Sequence, residues 1–453
     1  MDGFPGGNME GERNYEGAIQ IINARRRAKR PLETNAGSNG IKSKSAANPT
    51  PDARGTPGIE GMSSWLQALG HSQEDINRLN VIHVAGTKGK GSTCAFTETF
   101  LRAHGQRTGF PKKTGLYTSP HLIVPEERIR IDARPLEATL FAKYFFEMCE
   151  RLPQIRDEFD PSKEVVQRGP RYLQLFALLA FHTFIREGVD VAIFETHCGG
   201  EYDATNIGQR PVVTAVTTLG MDHIDMLGPT IKNIAWHKGG IYKAGAVALS
   251  APQDPPPAEV LKQRSEEKGE QIRFVEIDQR LPQNSLTLRP EVQMINASVA
   301  ATAAQAFLDR CAPEQCKRLT EADLKAGVEQ FSWPGRFQIL SEQQWMWYLD
   351  AAHNDMSVKI AAKWFAEICG DARTYDESDA KKSHQSPERP ELFREAWQKI
   401  NPDGKIWSEP TIQGAVKLAR QLGPDGMHTL ITGSQHLVGP SLRILNWSSK
   451  MST

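Results

Sequence analysis

"NVIHVAGTKGKGSTCAF", residues 80–96, sets an apolar run directly before a loop of glycine and lysine. Val81, Ile82 and Val84 read as a buried strand, Gly86, Gly89 and Gly91 permit a tight backbone path, and Ser92 opens a helical pattern. Such a loop turns backbone N–H groups and the positive end of a helix towards one point, where a phosphate fits, with Lys90 as the point charge. The common phosphate-loop spacing G-x-x-x-x-G-K-[ST] fails here: aligned on Gly89 and Lys90, it requires glycine at 84 and a hydroxyl residue at 91, and the chain has Val84 and Gly91. A glycine-rich turn without a ligand stays open on these residues alone. The order strand, loop, helix favours a nucleotide.

Working outward, apolar runs alternate with helical patterns. "VIHVAG" leads into "STCAFTETFLRAHG", "YLQLFALLAFHTFIREG" into "VDVAIFET", and "PVVTAVTTLG" into "TIKNIAWHKGGIY". This alternation predicts an α/β fold with a parallel sheet covered by helices, whose ligands sit at the carboxyl ends of the strands. A short helical pattern spans Tyr15 to Arg27, and residues 31–58, rich in Lys, Ser, Asn, Pro and Gly, read as a flexible loop. Helical patterns at Val292–Leu308 and Glu321–Gln330 precede "SWPGRF", where Pro334 and Gly335 mark a hinge. The expected division is a domain over 1–331, a hinge at 332–336 and a smaller domain over 337–453. In the smaller domain "RFQIL" and "WMWYL" could form one hairpin, "MSVKIAAKWFAEI" and "ELFREAWQKI" read as helices, and "KIW" and "HTLIT" as strands.

Of 453 residues, 39% are hydrophobic and 24% charged, and Lys plus Arg (54) equals Asp plus Glu (54), so no general field draws in nucleic acid or an anionic membrane. Six cysteines without paired metal spacing suit a reducing compartment. The N-terminal stretch carries early acids and no apolar run, unlike a signal or transit peptide. A cytoplasmic monomer is expected, with small-molecule partners, no nucleic acid and no membrane; a mitochondrial form stays open.

Three further stretches place chemistry at strand ends. "GLYTSPHL", residues 115–122, has ordinary turn composition. In "VAIFETHCGGEYDATN", residues 191–206, Glu195 ends a buried strand, where a carboxylate is costly unless it meets a cation or N–H donors; metal binding or general-base duty follows. Cys198 beside His197 reads as a passive cysteine in a glycine-rich turn. In "VVTAVTTLGMDHIDMLG", residues 212–228, Asp222 and His223 lie just past a strand. A hydroxyl, a carboxylate and an imidazole near phosphate oxygens can hold a divalent cation.

In order, "HVAGTKGKGST", "GLYTSPHL", "GGEYDATN", "LGMDHIDMLG", "KGGIYK", "WPGR", "DAAHN" and "ITGSQHLVG" resemble the folylpolyglutamate synthases of the Mur-ligase superfamily, over about Tyr15 to Gly439. The specificity lies in the number and order of the motifs. That family uses a shortened loop, GTxGKGS, for which Val84 and Gly91 are the normal form. The resemblance implies a P-loop parallel-sheet ATPase domain followed by a smaller Rossmann-like α/β domain. Gly86, Thr87, Lys88, Gly89, Lys90, Gly91 and Ser92 would cradle the ATP phosphates, and Ser119, Glu195 and His223 would ligate Mg2+. Lys238 matches a lysine that can be carbamylated, and a monovalent cation is a further family ligand. Asn296 would face adenine, Arg336 a phosphate, Asp350 the ribose, and His353 the incoming amino acid; Ser434 matches a residue near the glutamate site. Lys90, Lys238 and His353 form the implied catalytic set. On the residues alone, Asn296 could be helix surface and Lys238 a solvated lysine.

The implied reaction is amide-bond formation: ATP phosphorylates the terminal glutamate carboxylate of a folate, and the amine of free L-glutamate displaces phosphate. The chain departs from the pattern in "THCGG" after Glu195, in Ala351 of "DAAHN", and in the polar stretch 371–389, where two apolar strands are normally found. A member with altered or lost ligase activity, acting on another carboxylate and amine or only binding nucleotide, is the alternative.

Overall fold

The computed structural model describes residues 13–26, 57–353, 355–369 and 409–445. Two compact units divide between Ser332 and Trp333. The first is built on an eight-stranded sheet. Its strands are β1 (Ile82–Ala85), β2 (Thr114–Tyr117), β3 (Ile129–Ile131), β4 (Arg134–Pro135), β5 (Val191–Glu195), β6 (Val213–Val216), β7 (Val247–Ser250) and β8 (Arg273–Phe274), in the order β4-β3-β2-β5-β1-β6-β7-β8. From β2 to β8 every pairing is parallel, and β3 and β4 add an antiparallel edge.

The central position of β1 follows from its composition. All four residues are buried, as a strand covered by helices on both faces requires. The register sets Val84 beside Glu195 and Ala85 beside Val216, so β1, β5 and β6 end level. The segments that follow them, beginning at Gly86, Thr196 and Thr217, therefore leave the sheet along one edge.

After β1 the helix Lys90–Thr108 begins two residues earlier than the expected Ser92. Gly89 is its N-cap, with φ of +85°, a left-handed conformation that glycine adopts without a Cβ penalty. This helix is buried over most of its length and packs against the helices Glu291–Cys311 and Glu321–Gln330. Elsewhere in the unit, Phe181 stacks on Phe194 of β5 at 4.2 Å, within a core that includes Trp65, Phe141, Phe145 and Phe176.

Asp323 ties two of these helices together. Its carboxylate, on a side chain only 2% exposed, accepts from Nε and Nη2 of Arg107 at 2.7 Å each and from N and Oγ1 of Thr320 at 2.8 Å each. Burial pushes its pKa up. The Arg107 and Thr320 hydrogen bonds and the Arg107 charge outweigh burial and hold it well below the usual carboxylate range. Asp323→Asn is expected to cost roughly 2–4 kcal/mol at neutral pH. A depressed carboxylate pKa contributes stability that is lost as pH falls from the usual carboxylate range towards the folded value, so the gap from wild type narrows in acid. Urea unfolding at about pH 7 and about pH 3 measures both effects.

In the second unit β9 (Gln338–Glu342) and β10 (Trp345–Asp350) form an antiparallel hairpin, and β11 (His428–Thr432) pairs with β10 in parallel. Trp347, Tyr348 and Trp364 form its buried aromatic centre. The expected polar stretch 371–389, the helix near 391–400 and the strand at 405–407 lie outside the described residues, as do residues 31–56 of the expected loop. No helix among the described residues is long and apolar enough to cross a membrane. All six cysteines are free.

Candidate active site

The loop between β1 and the helix Lys90–Thr108 is shaped by close approach. A Cβ on Gly86, whose φ is +148°, would stand 1.9 Å from Oγ1 of Thr217; one on Gly89 would stand 2.2 Å from Oδ1 of Asn296. The backbone amides of Thr87 and Lys88 both donate to the carbonyl of Thr218 at 3.1 Å. These two amides are used inside the protein rather than aimed at a ligand. The amides of the helix's first turn, which have no intrahelical partner, and the positive end of its dipole carry that capacity. Thr87 Oγ1 bonds to Gly220, and Lys88 Nζ lies 3.5 Å from Asp222 Oδ2.

Two lysines converge on one carbonyl. Lys90 Nζ donates to Gly86 O at 3.1 Å and Lys238 Nζ to the same oxygen at 2.6 Å. Lys90 Nζ also stands 3.9 Å from Glu195 Oε1, and Glu195 Oε2 accepts the backbone N–H of Ser119 at 3.1 Å. The Glu195 side chain is only 7% exposed, so its charge meets the cation and the N–H donor that a carboxylate at a buried strand end needs. Ser119 Oγ accepts from Arg128 Nη1 at 2.9 Å. Lys90, Lys238, Glu195 and Ser119 are thus assembled at one sheet edge from four separate segments.

Lys238 is 2% exposed, not a solvated lysine. Burial first, and the neighbouring Lys90 charge second, push its pKa down to about 7. Between that value and the usual lysine range the unfolded chain binds more protons than the folded one, so raising the pH through this window stabilises the fold. Lys238→Met should therefore be more stable than wild type below pH 7, by a margin that shrinks above it. Unfolding midpoints at about pH 6 and about pH 9 measure the margin; a margin independent of pH contradicts the assignment.

Asn296 is buried rather than helix surface. It donates to Gln293 Oε1 at 2.9 Å and lies against Gly89 and Thr93. His223 has a left-handed φ of +50°, caps the short helix Ile224–Leu227, and has a side chain 41% exposed. Among the described residues no group of three or more His, Cys, Asp and Glu stands in metal-holding geometry. A divalent cation here needs oxygen donors beyond that set; Glu195 and the Ser119 hydroxyl fit a hard cation.

Ser119 and His223 open onto a cavity of about 710 Å³ that the sequence reading did not anticipate. One wall holds His197, whose Nε2 meets Tyr117 OH at 2.6 Å and whose Nδ1 faces Asp203 Oδ1 at 3.4 Å. Burial keeps the His197 pKa below its ordinary value despite Asp203. Asp203 in turn accepts the N–H groups of His197, Cys198 and Thr205. The departure "THCGG" after Glu195 thus builds a fixed wall, and Cys198 lines the same cavity. Arg25, Arg26, Arg168, Arg171 and Tyr172 also line it. Arginine and tyrosine at a helix start gave no signal in one dimension.

In the second unit Asp350 and Thr432 are register partners at the ends of β10 and β11. Asp350 is buried and accepts the Phe337 N–H at 3.0 Å, closing the turn that carries Arg336. Burial raises its pKa against the opposing Arg336 charge. His353, exposed just after β10, sets Nδ1 3.0 Å from Ala351 O. Ser434 follows β11 and caps the helix Gln435–Ile444, accepting from Leu437 N. Asp350, His353 and Ser434 therefore share the carboxyl edge of this small sheet.

No family model matches the chain. The folylpolyglutamate synthase of Neurospora crassa is 36% identical over 96% of this chain and 92% of its own length. A probable folylpolyglutamate synthase of Schizosaccharomyces pombe is 38% identical over 82% of this chain and 69% of its own. Among solved structures, the apo form of L. casei FPGS superposes with a TM-score of 0.70 at 22% identity, covering 96% of this chain and 100% of that one. Folylpolyglutamate synthase from Mycobacterium tuberculosis complexed with ADP gives 0.68 at 24% identity, over 87% and 95%. These two likenesses show the fold. The Neurospora relative, matched along nearly its whole length, shows more: the chain belongs to the folylpolyglutamate synthase family.

Proposed function

We propose that this protein is an ATP-dependent ligase that joins free L-glutamate to the terminal glutamyl carboxylate of a folate through an acyl phosphate. The observation that carries the reading is the assembly of Lys90, Lys238, Glu195 and Ser119 beside a cavity large enough for a drug-sized ligand.

A carboxylate is a poor electrophile. In the first step one of its oxygens attacks the γ-phosphorus of ATP and ADP leaves; in the second the glutamate amine attacks the acyl carbon, phosphate leaves and the amine loses a proton. Lys90 and the first-turn amides of the helix Lys90–Thr108 stabilise charge on the transferred phosphoryl group, in a buried setting that strengthens their effect. Gly86, Thr87, Lys88, Gly89, Gly91 and Ser92 shape the phosphate loop, with Asn296 beside it for the base. Ser119, Glu195 and His223 would hold Mg2+, which neutralises phosphate oxygens when bound. With a pKa near 7, Lys238 has a neutral amine fraction that can take up carbon dioxide as a carbamate. Arg336, Asp350, His353 and Ser434 are the proposed contacts of the second unit with phosphate, ribose and free glutamate.

The test is ATP-dependent incorporation of labelled glutamate into tetrahydrofolate. Product that lengthens one glutamate at a time, with one ADP formed per addition, is expected; ADP formation without labelled folate would contradict the reading.

A further inference from the structure

The helix Ile231–Gly239, which carries Lys238, is held at its C-terminal end by contacts that the chemistry above does not use. The carbonyl of His237 accepts the backbone N–H of Glu201 at 2.7 Å. Nδ2 of the buried Asn206 donates both to Glu201 O at 3.2 Å and to Gly240 O at 3.1 Å. The backbones meet closely: a Cβ on Gly200 would stand 2.7 Å from His237 O and 2.9 Å from Lys238 O, and one on Gly240 would stand 2.3 Å from Glu201 Oε2. A third segment closes the group. Arg264, in the last turn of the helix Pro255–Glu266, pairs with the Glu201 carboxylate and with Glu267 at 2.6 Å, and its guanidinium carbon lies 4.4 Å from the Trp236 ring centroid. The Arg264 side chain is only 8% exposed, so its contacts are screened less than those of a solvated pair.

These contacts fix the chain on both sides of Lys238, at Trp236 and His237 before it and at Gly240 after it. From there the Lys238 amine reaches Gly86 O at 2.6 Å, the oxygen that Lys90 also meets. Lys238 is buried, so packing fixes the path of its side chain and the amine follows any shift of the helix. A displacement of about 1 Å at a reacting centre can cost about 10²-fold in rate. Among the described residues, neither Glu201 nor Arg264 bonds to the phosphate loop itself. Resting on the ligase reading and on the part it gives Lys238, we propose that Glu201 and Arg264 are positioning residues for glutamate addition: with Asn206 they clamp three segments together and hold Lys238 against the phosphate loop. Their effect on the rate therefore passes through the Lys238 amine.

A double-mutant cycle tests this, with incorporation of labelled glutamate into tetrahydrofolate followed in Arg264→Met, in Lys238→Met and in the variant carrying both. Arg264→Met is expected to lower kcat about 10- to 100-fold and Lys238→Met about 10²–10³-fold. The double variant should lie within about threefold of Lys238→Met, because the clamp then has no amine to position. Arg264→Lys, which keeps a cation for Glu201 without the planar stack on Trp236, should fall between Arg264→Met and wild type. Asp323→Asn controls for lost stability: it weakens a buried arginine–carboxylate contact at the far end of the helix Lys90–Thr108 and should keep the wild-type kcat below its melting temperature. If Arg264→Met melts too early, Glu201→Gln replaces it in the cycle, since the Glu201 side chain is 28% exposed and water can take up the change. A wild-type kcat in these clamp variants, or losses that multiply in the double variant, overturns the clamp and leaves the ligase reading standing. So does a Lys238→Met variant as active as wild type. No turnover by the wild-type protein overturns both.

Discussion

Lys90→Ala lowers the rate of glutamate addition by about 10²–10³-fold, the loss seen when one preorganised donor to a transition state is removed, while the melting temperature stays within about 3 °C of wild type. The first expectation follows from position: Lys90 opens the helix after the phosphate loop and its amine lies on Gly86 O beside Glu195. The second follows from two opposed effects. Glu195 loses a cation at 3.9 Å, which destabilises; the buried Lys238 loses a like charge that pushes its pKa down, which stabilises. Steady-state rates and scanning calorimetry on the same preparation check both, and near-normal turnover would remove Lys90 from the phosphate site.

Glu195→Gln raises the Mg2+ needed for half-maximal rate by about tenfold or more. The amide can still accept the Ser119 N–H, so the loop after β2 keeps its anchor, but the negative charge that suits a hard cation is gone. Lys90 also loses its neighbouring anion, which lowers the maximal rate further. His223→Ala should shift the Mg2+ requirement in the same direction by less, since its side chain is 41% exposed and water can take its place. Velocity titrated against Mg2+ at fixed total ATP separates the two effects. An unchanged requirement in both variants removes both residues from the metal site.

The fold was legible where local pattern and burial agree. Val81, Ile82 and Val84 are apolar because β1 is covered on both faces, and the order of strand and helix from residue 80 to 250 is the order of a parallel sheet. The hairpin of "RFQIL" and "WMWYL" was open as an option for the same reason, with few residues between two strand patterns. The start of the helix at Lys90 was not legible, because its cap depends on the left-handed Gly89 pressed against Asn296, two hundred residues away.

In the site, Gly86, Lys90 and Glu195 stood out because loops at strand ends are exposed to one edge, and the register of β1, β5 and β6 explains why such residues meet; Ser119, in a stretch of ordinary turn composition, was reached only through the family resemblance. Lys238 and Asn296 had no such signal. Their burial is tertiary, and a lysine or asparagine on a helix looks the same in one dimension whether it faces solvent or Gly86 and Gly89. The cavity was hidden for a related reason. Tyr117 reaches His197 from 80 residues earlier in the chain, and Arg26 reaches Tyr172 from 146 residues away, and only folding brings them together.

The route through an acyl phosphate is tested most directly with a folate whose terminal carboxylate carries ¹⁸O. Attack of that carboxylate on the γ-phosphorus moves one labelled oxygen into the phosphate released with each glutamate added, so mass spectrometry of the phosphate should find one ¹⁸O per molecule from a fully labelled carboxylate. Phosphate free of label, with product formed at the normal rate, would contradict the account.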